Sequence, residues 1–285
     1  MVATPIGNLS DLSPRARAIL AEVDLIAAED TRHSSGLLQH FGIHAQLLAL
    51  HEHNEAQQSV QLISQLKAGK RIALISDAGT PAISDPGSRL VALAHLHEIP
   101  VIVIPGPSAL TAAVSVAGLS ALPVHFYGFL PPKAKARRQV LEGLSHTSGT
   151  LVFYEAPHRI EEMVGDLVSL FPSERTLVLC RELTKRFESV HRCSLAEVQA
   201  WLAGDTDRVR GEFVVILEGA PDRERIDPLI EGRRVLEILS ASSLSISEAA
   251  RAAAKITGAN RSDLYNWALQ NLESGEDSIG SNSED

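Results

Sequence analysis

Short apolar segments alternate with longer segments of helical periodicity along most of the chain. The segments 71–75, 101–104 and 124–127 are rich in aliphatic, β-branched and aromatic residues, which predicts strands. Just before the first of them, residues 55–67 carry apolar side chains at helical spacing, with Val60, Ile63 and Leu66 on one face. Because alternating strands and helices are typical of a sheet rich in parallel strands and covered by helices, the pattern predicts an α/β fold.

The same pattern divides the chain into four parts. We predict an α/β domain at 1–119, a second α/β domain at 120–222, a helical module at 229–273 and a disordered acidic tail at 274–285. The module has the helix–turn–helix order, and its mildly positive charge leaves RNA binding, packing and dimerisation all open as roles. Further strands are predicted at 1–4, 23–28, 47–50, 150–154, 176–180, 187–193 and 213–218, and further helices at 14–21, 88–96, 109–118, 158–170, 195–202, 233–239, 245–256 and 261–272.

Four loops rich in Pro and Gly follow directly after predicted strands. The densest is 76–87, which contains two Gly, two Pro and two Asp residues. Open α/β sheets bind ligands outside the carboxyl ends of their strands, so we expect these loops to converge on one cleft. Loops that are poor in long side chains favour a small organic ligand held largely by backbone groups. The sequence lacks the phosphate-loop, dinucleotide-binding and zinc-protease motifs, and we expect no metal site.

Charge and composition limit the cellular location and the classes of partner that the sequence predicts. The formal charge of −9 argues against a generally basic nucleic-acid binder, but five acids and no Lys or Arg lie beyond Leu272. No apolar run reaches about eighteen residues, and Cys180 and Cys193 have no metal or redox spacing, which predicts a cytoplasmic protein with no membrane partner. Two basic clusters are either solvated surface or phosphate-binding patches, namely Lys133, Lys135, Arg137 and Arg138, and Arg181, Lys185, Arg186 and Arg192.

Six sequence blocks occur in order along the chain, and they are Ala3-Thr4-Pro5-Ile6-Gly7-Asn8-Leu9, Ala28-Glu29-Asp30-Thr31-Arg32, Ser76-Asp77-Ala78-Gly79-Thr80-Pro81, Pro105-Gly106-Pro107-Ser108, Tyr127-Gly128-Phe129-Leu130-Pro131 and Tyr154-Glu155-Ala156-Pro157-His158-Arg159. Together they resemble the ribosomal RNA small-subunit methyltransferase I family. The resemblance extends from Val2 to about Leu272. It departs from the family at the first strand, where members usually carry several more residues.

The resemblance implies a tetrapyrrole-methylase fold, with two α/β domains and the cofactor in the cleft between them. It implies S-adenosylmethionine as cofactor and methyl transfer to the 2′-hydroxyl of a cytidine ribose near the decoding centre. The substrate would be small-subunit ribosomal RNA or the assembled small subunit, and the protein would be a homodimer. The resemblance places the cofactor against Pro5, Asp77, Ala78, Gly79, Thr80, Ile83, Ser108, Ala109, Glu155, Ala156 and Leu183.

The 2′-hydroxyl must lose its proton, so a general base is expected. The candidates are Asp30, Glu155 and His158, each with an inter-loop ion pair as its alternative role. We expect Arg32 and Arg159 to orient carboxylates or to bind RNA phosphate. For the first basic cluster, Lys133, Lys135, Arg137 and Arg138, we expect phosphate binding.

Two other function classes stay open. One is a methylase of a porphyrin-like small molecule with the same fold, and the other is a non-catalytic nucleotide- or RNA-binding module. The basic residues after Pro131-Pro132 and the added helical module favour RNA over the porphyrin-like substrate. Four convergent loops are more than a simple binding module requires.

Overall fold

The computed structural model describes residues 1–119, 123–221, 227–241 and 244–272. These residues form two compact units, and both sheets lie in the first, which contains residues 1–145 and 149–219. The predicted domain boundary at 119/120 adjoins residues that are not described, and it stays a prediction. The predicted acidic tail at 274–285 lies outside the described residues.

The first sheet has three parallel strands in the order β2-β1-β3. Both faces of β1 are buried, because Ile26 and Ala28 pack toward the first two helices while Leu25 and Ala27 pack toward the next two. A sheet covered on both faces is the predicted α/β arrangement. Its elements are α1 (Pro14–Glu22), β1 (Leu25–Ala28), α2 (Thr31–His40), β2 (Leu47–Ala49), α3 (Glu55–Lys67), β3 (Ile72–Ile75) and α4 (Ser88–Leu96).

The second sheet has five strands in the order β4-β5-β8-β6-β7. β4 and β5 are parallel, and every other neighbouring pair is antiparallel. Helices α6, α7 and α8 cover one face, and α5 packs on the other. Its elements, with the preceding helix, are α5 (Ala109–Ala117), β4 (Val124–Phe129), α6 (Ala134–Leu144), β5 (Thr150–Glu155), α7 (Ile160–Leu170), β6 (Thr176–Arg181), β7 (Ser189–Ser194), α8 (Leu195–Ala203) and β8 (Phe213–Leu217).

The second unit contains three helices around a core of its own. They are α9 (Pro228–Ser240), α10 (Ile246–Thr257) and α11 (Arg261–Asn271). Leu236, Leu264 and three alanines of α10 form the buried centre. A capping box between Ser245 and Glu248 begins α10, and Gly258 in the left-handed region ends it. The sequence predicted this helix-turn-helix order.

Several details of the sequence-based prediction are wrong. The predicted strand at 1–4 forms only the isolated bridges of Val2 and Thr4. The segment 101–104 forms no strand, because it pairs with the start of the chain through the single bridge Val2–Ile104. On α3 the buried face is Ser59, Leu62 and Ile63, whereas Val60 is 61% exposed. Helices α2 and α6 were not predicted. The first turns of α2 consist of polar residues, and the buried face of α6 includes an arginine, so neither shows a plain apolar stripe.

Both cysteines are free thiols. Burial raises the pKa of the Cys180 thiol to about 12, so this side chain packs as a small apolar group. Across the described residues, no helix combines the length and the apolar character needed to cross a membrane.

Candidate functional site

A cavity of about 390 Å³ lies in the first unit, where the loops that follow the strands meet. The loops are hydrogen-bonded to one another. Thr4 N donates to Gly79 O at 2.9 Å, and Gly79 N donates back to Thr4 O at 3.1 Å. Thr80 Oγ1 donates to Pro107 O at 3.1 Å, which ties in the third loop. The predicted convergence of these loops is therefore present, and the cavity is within the usual size range of small-molecule sites.

Ten of the eleven residues predicted to bind the cofactor line this cavity. The exception is Pro5, which is buried in the loop beside it, while its neighbour Ile6 lines the cavity. The ten are Asp77, Ala78, Gly79, Thr80, Ile83, Ser108, Ala109, Glu155, Ala156 and Leu183.

Sequence reasoning missed about half of the cavity wall. Some of these residues could have been predicted, because Ile6, Glu29, Asp85 and Phe129 belong to Pro/Gly loops or strand ends that the sequence analysis identifies. Others gave no sign of a place in the cavity, since β8 reaches it only through the fold and Lys185 was identified as a member of a basic cluster rather than as part of a cavity wall. The missed residues are Ile6, Glu29, Ser84, Asp85, Phe129, Tyr154, Pro157, Lys185, Glu212, Phe213 and Val214.

One side of the cavity is acidic. Burial, with the nearby Asp85 and Asp77 charges, raises the pKa of Glu29. Burial also raises the pKa of Asp85, against a hydrogen bond from Ser76 that lowers it, and Asp77 adds a further increase. Asp77 Oδ1 accepts a hydrogen bond from Asp30 N at 3.0 Å. Three carboxyl groups this close together, two of them with raised pKa values, favour a positively charged ligand.

Glu155 lies at the end of β5 with its side chain fully buried. Its Oε1 accepts a hydrogen bond from Ala156 N at 2.9 Å and pairs with Arg159 Nε at 3.1 Å. Its Oε2 is also buried and has no protein hydrogen-bond partner. Burial raises the pKa of this carboxyl group, despite the hydrogen bond from Ala156 N and the Arg159 charge. A buried oxygen without a partner in a cavity wall is suited to accept a hydrogen bond from a ligand.

The structure separates the three candidate bases. Only Glu155 lines the cavity, whereas Asp30 and His158 do not. The Asp30 carboxylate accepts hydrogen bonds from the exposed Arg32 side chain and from Arg32 N, and these lower the pKa of Asp30 to about 2. Asp30 also begins α2 as its N-cap, so its described contacts are structural. His158 lies on the surface of the loop after β5.

The basic residues differ in what they can reach. Arg137 is 2% exposed, and its Nε donates to Asp166 Oδ2 at 2.6 Å. The prediction that Arg137 binds RNA phosphate is therefore wrong, because this side chain is the buried partner of Asp166. Arg138 is 56% exposed and donates to the same carboxylate. Lys133 and Lys135 are exposed at the start of α6, as a phosphate contact requires.

Three other cations are paired with carboxylates. Arg159 is 17% exposed and holds Glu155 while donating to Leu130 O at 2.7 Å, so it orients the carboxylate, which was one of its two expected roles. Lys185 lies in the cavity wall, and its Nζ donates to Glu182 at 2.9 Å and Glu212 at 2.8 Å. Arg32 is 90% exposed and accessible to a large ligand.

The residues that line the cavity suit S-adenosylmethionine as a ligand. The cofactor carries a positively charged sulfur, and the acidic wall supplies opposite charge. The apolar atoms of Ile6, Ile83 and Leu183 suit the flat and aliphatic parts of the cofactor.

Comparisons with known proteins agree with this fold. The family model for tetrapyrrole (corrin/porphyrin) methylases matches residues 1–199. Among solved structures, diphthine synthase has a TM-score of 0.57 at 14% identity, covering 79% of this chain and 91% of that one. Uroporphyrin-III C-methyl transferase from Thermus thermophilus, complexed with S-adenyl homocysteine, has a TM-score of 0.53 at 19% identity, with 76% and 95% covered. These similarities show the tetrapyrrole-methylase fold that the sequence predicted.

More similar relatives define the family more narrowly. Ribosomal RNA small subunit methyltransferase I of Xylella fastidiosa is 52% identical over 265 residues, covering 93% of this chain and 96% of the relative. The protein of that name in Pseudomonas aeruginosa is 50% identical over 272 residues, covering 95% and 96%. The family model of the RsmI C-terminal HTH domain matches residues 227–272, the range of the helical module. On these matches, the chain belongs to the ribosomal RNA small subunit methyltransferase I family.

Proposed function

We propose that this chain transfers a methyl group from S-adenosylmethionine to the 2′-hydroxyl of a cytidine ribose in small-subunit ribosomal RNA near the decoding centre. The observation that carries the proposal is the cavity with an acidic wall and a buried, unpartnered Glu155 oxygen, in a chain of this family. The ribose position follows from the resemblance and is the finer part of the proposal.

The chain contributes mainly position and charge. When bound, the cofactor supplies a methyl group already activated on a cationic sulfur. Glu29, Asp77 and Asp85 provide the negative charge that favours this cation, and the loop backbone around Gly79 and Thr80 fixes where it lies. Holding two reactants in line can supply a large part of a rate enhancement, so a strongly activated residue is not required.

We assign the proton of the attacking hydroxyl to Glu155. Of the three candidates, it is the one that lines the cavity, and its raised pKa makes its carboxylate a stronger base than an exposed one. Arg159 and Ala156 N hold Oε1, which leaves Oε2 to receive the proton. Glu155 would thereby shift from carboxylate to carboxylic acid during the reaction.

We further propose that the RNA lies against the exposed basic residues Lys133, Lys135, Arg138 and Arg32, and that two chains form a homodimer in the cytoplasm. The substrate is free small-subunit RNA or the assembled small subunit. Phosphate contacts of this kind position an RNA without reading its bases.

Two measurements test the proposal. Calorimetry should show binding of S-adenosylmethionine. Absence of binding would favour the alternative function, a non-catalytic nucleotide- or RNA-binding module. Transfer of labelled methyl groups should then occur to small subunits that lack the modification and not to a uroporphyrinogen. Transfer to the tetrapyrrole alone would favour the porphyrin-like substrate instead.

A further inference from the structure

Resting on the proposed function, we propose that Phe129 is a stacking platform that holds the base of the substrate nucleotide beside the cavity. Phe129 lines the cavity and is nevertheless 55% exposed. It ends β4, which is an edge strand of the five-stranded sheet. An aromatic ring that is half exposed at the rim of a ligand site is open to a flat ligand group.

A β-bulge in β4 determines to which face of the sheet the Phe129 ring points. Phe126 pairs with Val152, whereas Gly128 pairs with Phe153 and Phe129 with Tyr154, so Tyr127 is an extra residue in β4. In a regular strand, residues three apart point to opposite faces. The extra residue brings Phe129 to the face that carries Phe126 and Tyr154, which is the face of the cavity.

Gly128 makes the bulge possible. Its φ of +64° lies in the left-handed region, and a Cβ built there would lie 2.6 Å from Ser84 Oγ in the 76–87 loop. The backbone therefore approaches this cavity loop more closely than a larger residue allows. The backbone at Gly128 thus sets the direction in which the Phe129 side chain points.

The ring is supported from behind. Tyr154 meets Phe129 edge to face, with centroids 5.7 Å apart, and meets Phe126 at 4.9 Å. The Tyr154 hydroxyl accepts a hydrogen bond from Leu110 N at 3.1 Å, which fixes the supporting ring. A ring held in this way loses little freedom when a ligand stacks on it.

A nucleobase is the ligand that this arrangement favours. Proteins recognise unpaired RNA bases largely by stacking them on aromatic side chains, and the exposed cations of α6 follow Phe129 in the chain. Phe129 has no hydrogen-bonding group, so it supplies affinity and position rather than a choice of base. The nucleotide's ribose would then lie toward Glu155, which lines the same cavity.

The test compares Phe129→Ala, Phe129→Trp and Phe129→Leu with the control Phe187→Ala, whose ring is 62% exposed but does not line the cavity. Methyl transfer to unmodified small-subunit RNA and calorimetry with S-adenosylmethionine are measured for each. Phe129→Ala should lower kcat/KM for RNA by about 5- to 150-fold, the equivalent of one lost base–aromatic stack. Phe129→Trp should restore it, Phe129→Leu should not, and Phe187→Ala should match the wild type.

Because Phe129 lines the cavity only at its exposed rim, cofactor affinity should fall by much less than kcat/KM in its variants and stay unchanged in Phe187→Ala, and measurable cofactor binding also shows that each variant is folded. The proposal is overturned by unchanged kcat/KM in Phe129→Ala, by equal rescue with Leu, or by loss of cofactor binding. A fall of the Phe129→Ala variant to half the wild-type mass in light scattering would mean that a second copy covers the ring, and would also overturn it. A wild-type protein that methylates no RNA contradicts the proposed function itself, and the stacking proposal with it.

Discussion

Gly79 connects two loops of the cavity, and its backbone determines what can replace it. Its φ is +83°, and a Cβ built on it would lie 3.3 Å from Ile6 Cγ2 in the cavity wall. We expect Gly79→Val to abolish measurable binding of S-adenosylmethionine, because the side chain must displace Ile6 or the loop itself. The backbone strain alone should cost about 1–2 kcal/mol of folding free energy. Calorimetry and thermal unfolding measure the two effects.

Gly42 provides the matched control. Its φ is +67°, a Cβ there meets nothing within 4 Å, and it does not line the cavity. Gly42→Val should therefore show similar strain with unchanged cofactor affinity. Equal affinity of the Gly79 variant and the wild type would refute the placement of the cofactor in this cavity.

Glu155 leads to a prediction about pH. As a base it must be deprotonated, and because burial raises its pKa, kcat should fall as the pH drops through a value above the ordinary 4.5 of a Glu. Glu155→Gln keeps an oxygen for Ala156 N but cannot take a proton, so kcat should fall by about 10²- to 10⁴-fold and the acidic limb should disappear. Steady-state rates across pH provide the measurement.

The surface candidate His158 is the control for Glu155. His158→Gln should leave kcat unchanged and keep the acidic limb, because this side chain does not line the cavity; the limb should move only slightly, to higher pH, since the His158 charge lowers the pKa of Glu155. If Glu155→Gln retained the limb while His158→Gln lost it, the base would be His158.

At the scale of elements, α6 carries two neighbouring arginines with different roles. Arg137 and Arg138 both donate to Asp166 of α7, but their side chains are 2% and 56% exposed. Arg137→Met should destabilise the fold by about 3–5 kcal/mol, since it breaks a buried ion pair. Arg138→Ala should cost about 1 kcal/mol or less, since Arg137 remains and solvent screens the pair. Denaturant unfolding measures both, and equal costs would contradict the difference in burial.

The same ion pairs should make stability depend on pH. Burial raises the pKa of Asp166, but hydrogen bonds from Arg138 and Arg137 outweigh this and lower it below the ordinary 3.8. The stabilisation is therefore fully present above about pH 4 and is lost as the pH falls through the lower folded-state pKa. Asp166→Asn should remove this acid-sensitive part of the unfolding free energy.

The exposed cations at the start of α6 are proposed to contact RNA phosphate, which can be tested by mutation. Replacing Lys133, Lys135 and Arg138 by Ala should weaken RNA binding and make its log–log salt slope shallower by up to about two units, if all three contact phosphate. Cofactor affinity should not change, because none of the three lines the cavity. Filter binding at several salt concentrations measures the slope, and an unchanged slope would assign these side chains to ordinary solvated surface.

An element can be predicted from the sequence when the features that determine it lie within the element itself, and not when they lie in a distant segment. Helix α3 was predicted with its observed ends, 55–67, because its periodicity and length are local properties. The segment 101–104 has strong strand propensity yet forms no strand, since its hydrogen bonding depends on the start of the chain, with Val2 bridged to Ile104. Arg137 was misplaced for a similar reason. A basic run indicates surface, and only the packing of α7 shows that one of its members is buried.

At the scale of the whole molecule, the candidate site combines parts with and without local signals. The Pro/Gly loops were identified because Gly and Pro mark unusual backbone wherever they occur. Lys185, Glu212, Phe213 and Val214 join the same wall through the order of the second sheet, which no short stretch of sequence encodes.

The proposed homodimer is tested directly by mass. A dimer should scatter light at twice the chain mass of 30.7 kDa at micromolar concentration. The reason to expect it, besides the resemblance, is that one chain offers a modest basic surface for a large RNA, and two chains double it. A mass equal to a single chain across the micromolar range would count against the dimer.

Methyl transfer to a ribose of small-subunit RNA can be detected by nucleoside analysis of the RNA itself. Small subunits from cells lacking this protein are incubated with the purified protein and S-adenosylmethionine carrying an isotopically labelled methyl group, and the digested RNA is analysed by mass spectrometry. We expect labelled 2′-O-methylcytidine at a single position near the decoding centre, absent with the Gly79→Val variant. Label on a base, or no label in the RNA while S-adenosylmethionine still binds, would contradict the proposed transfer to a ribose.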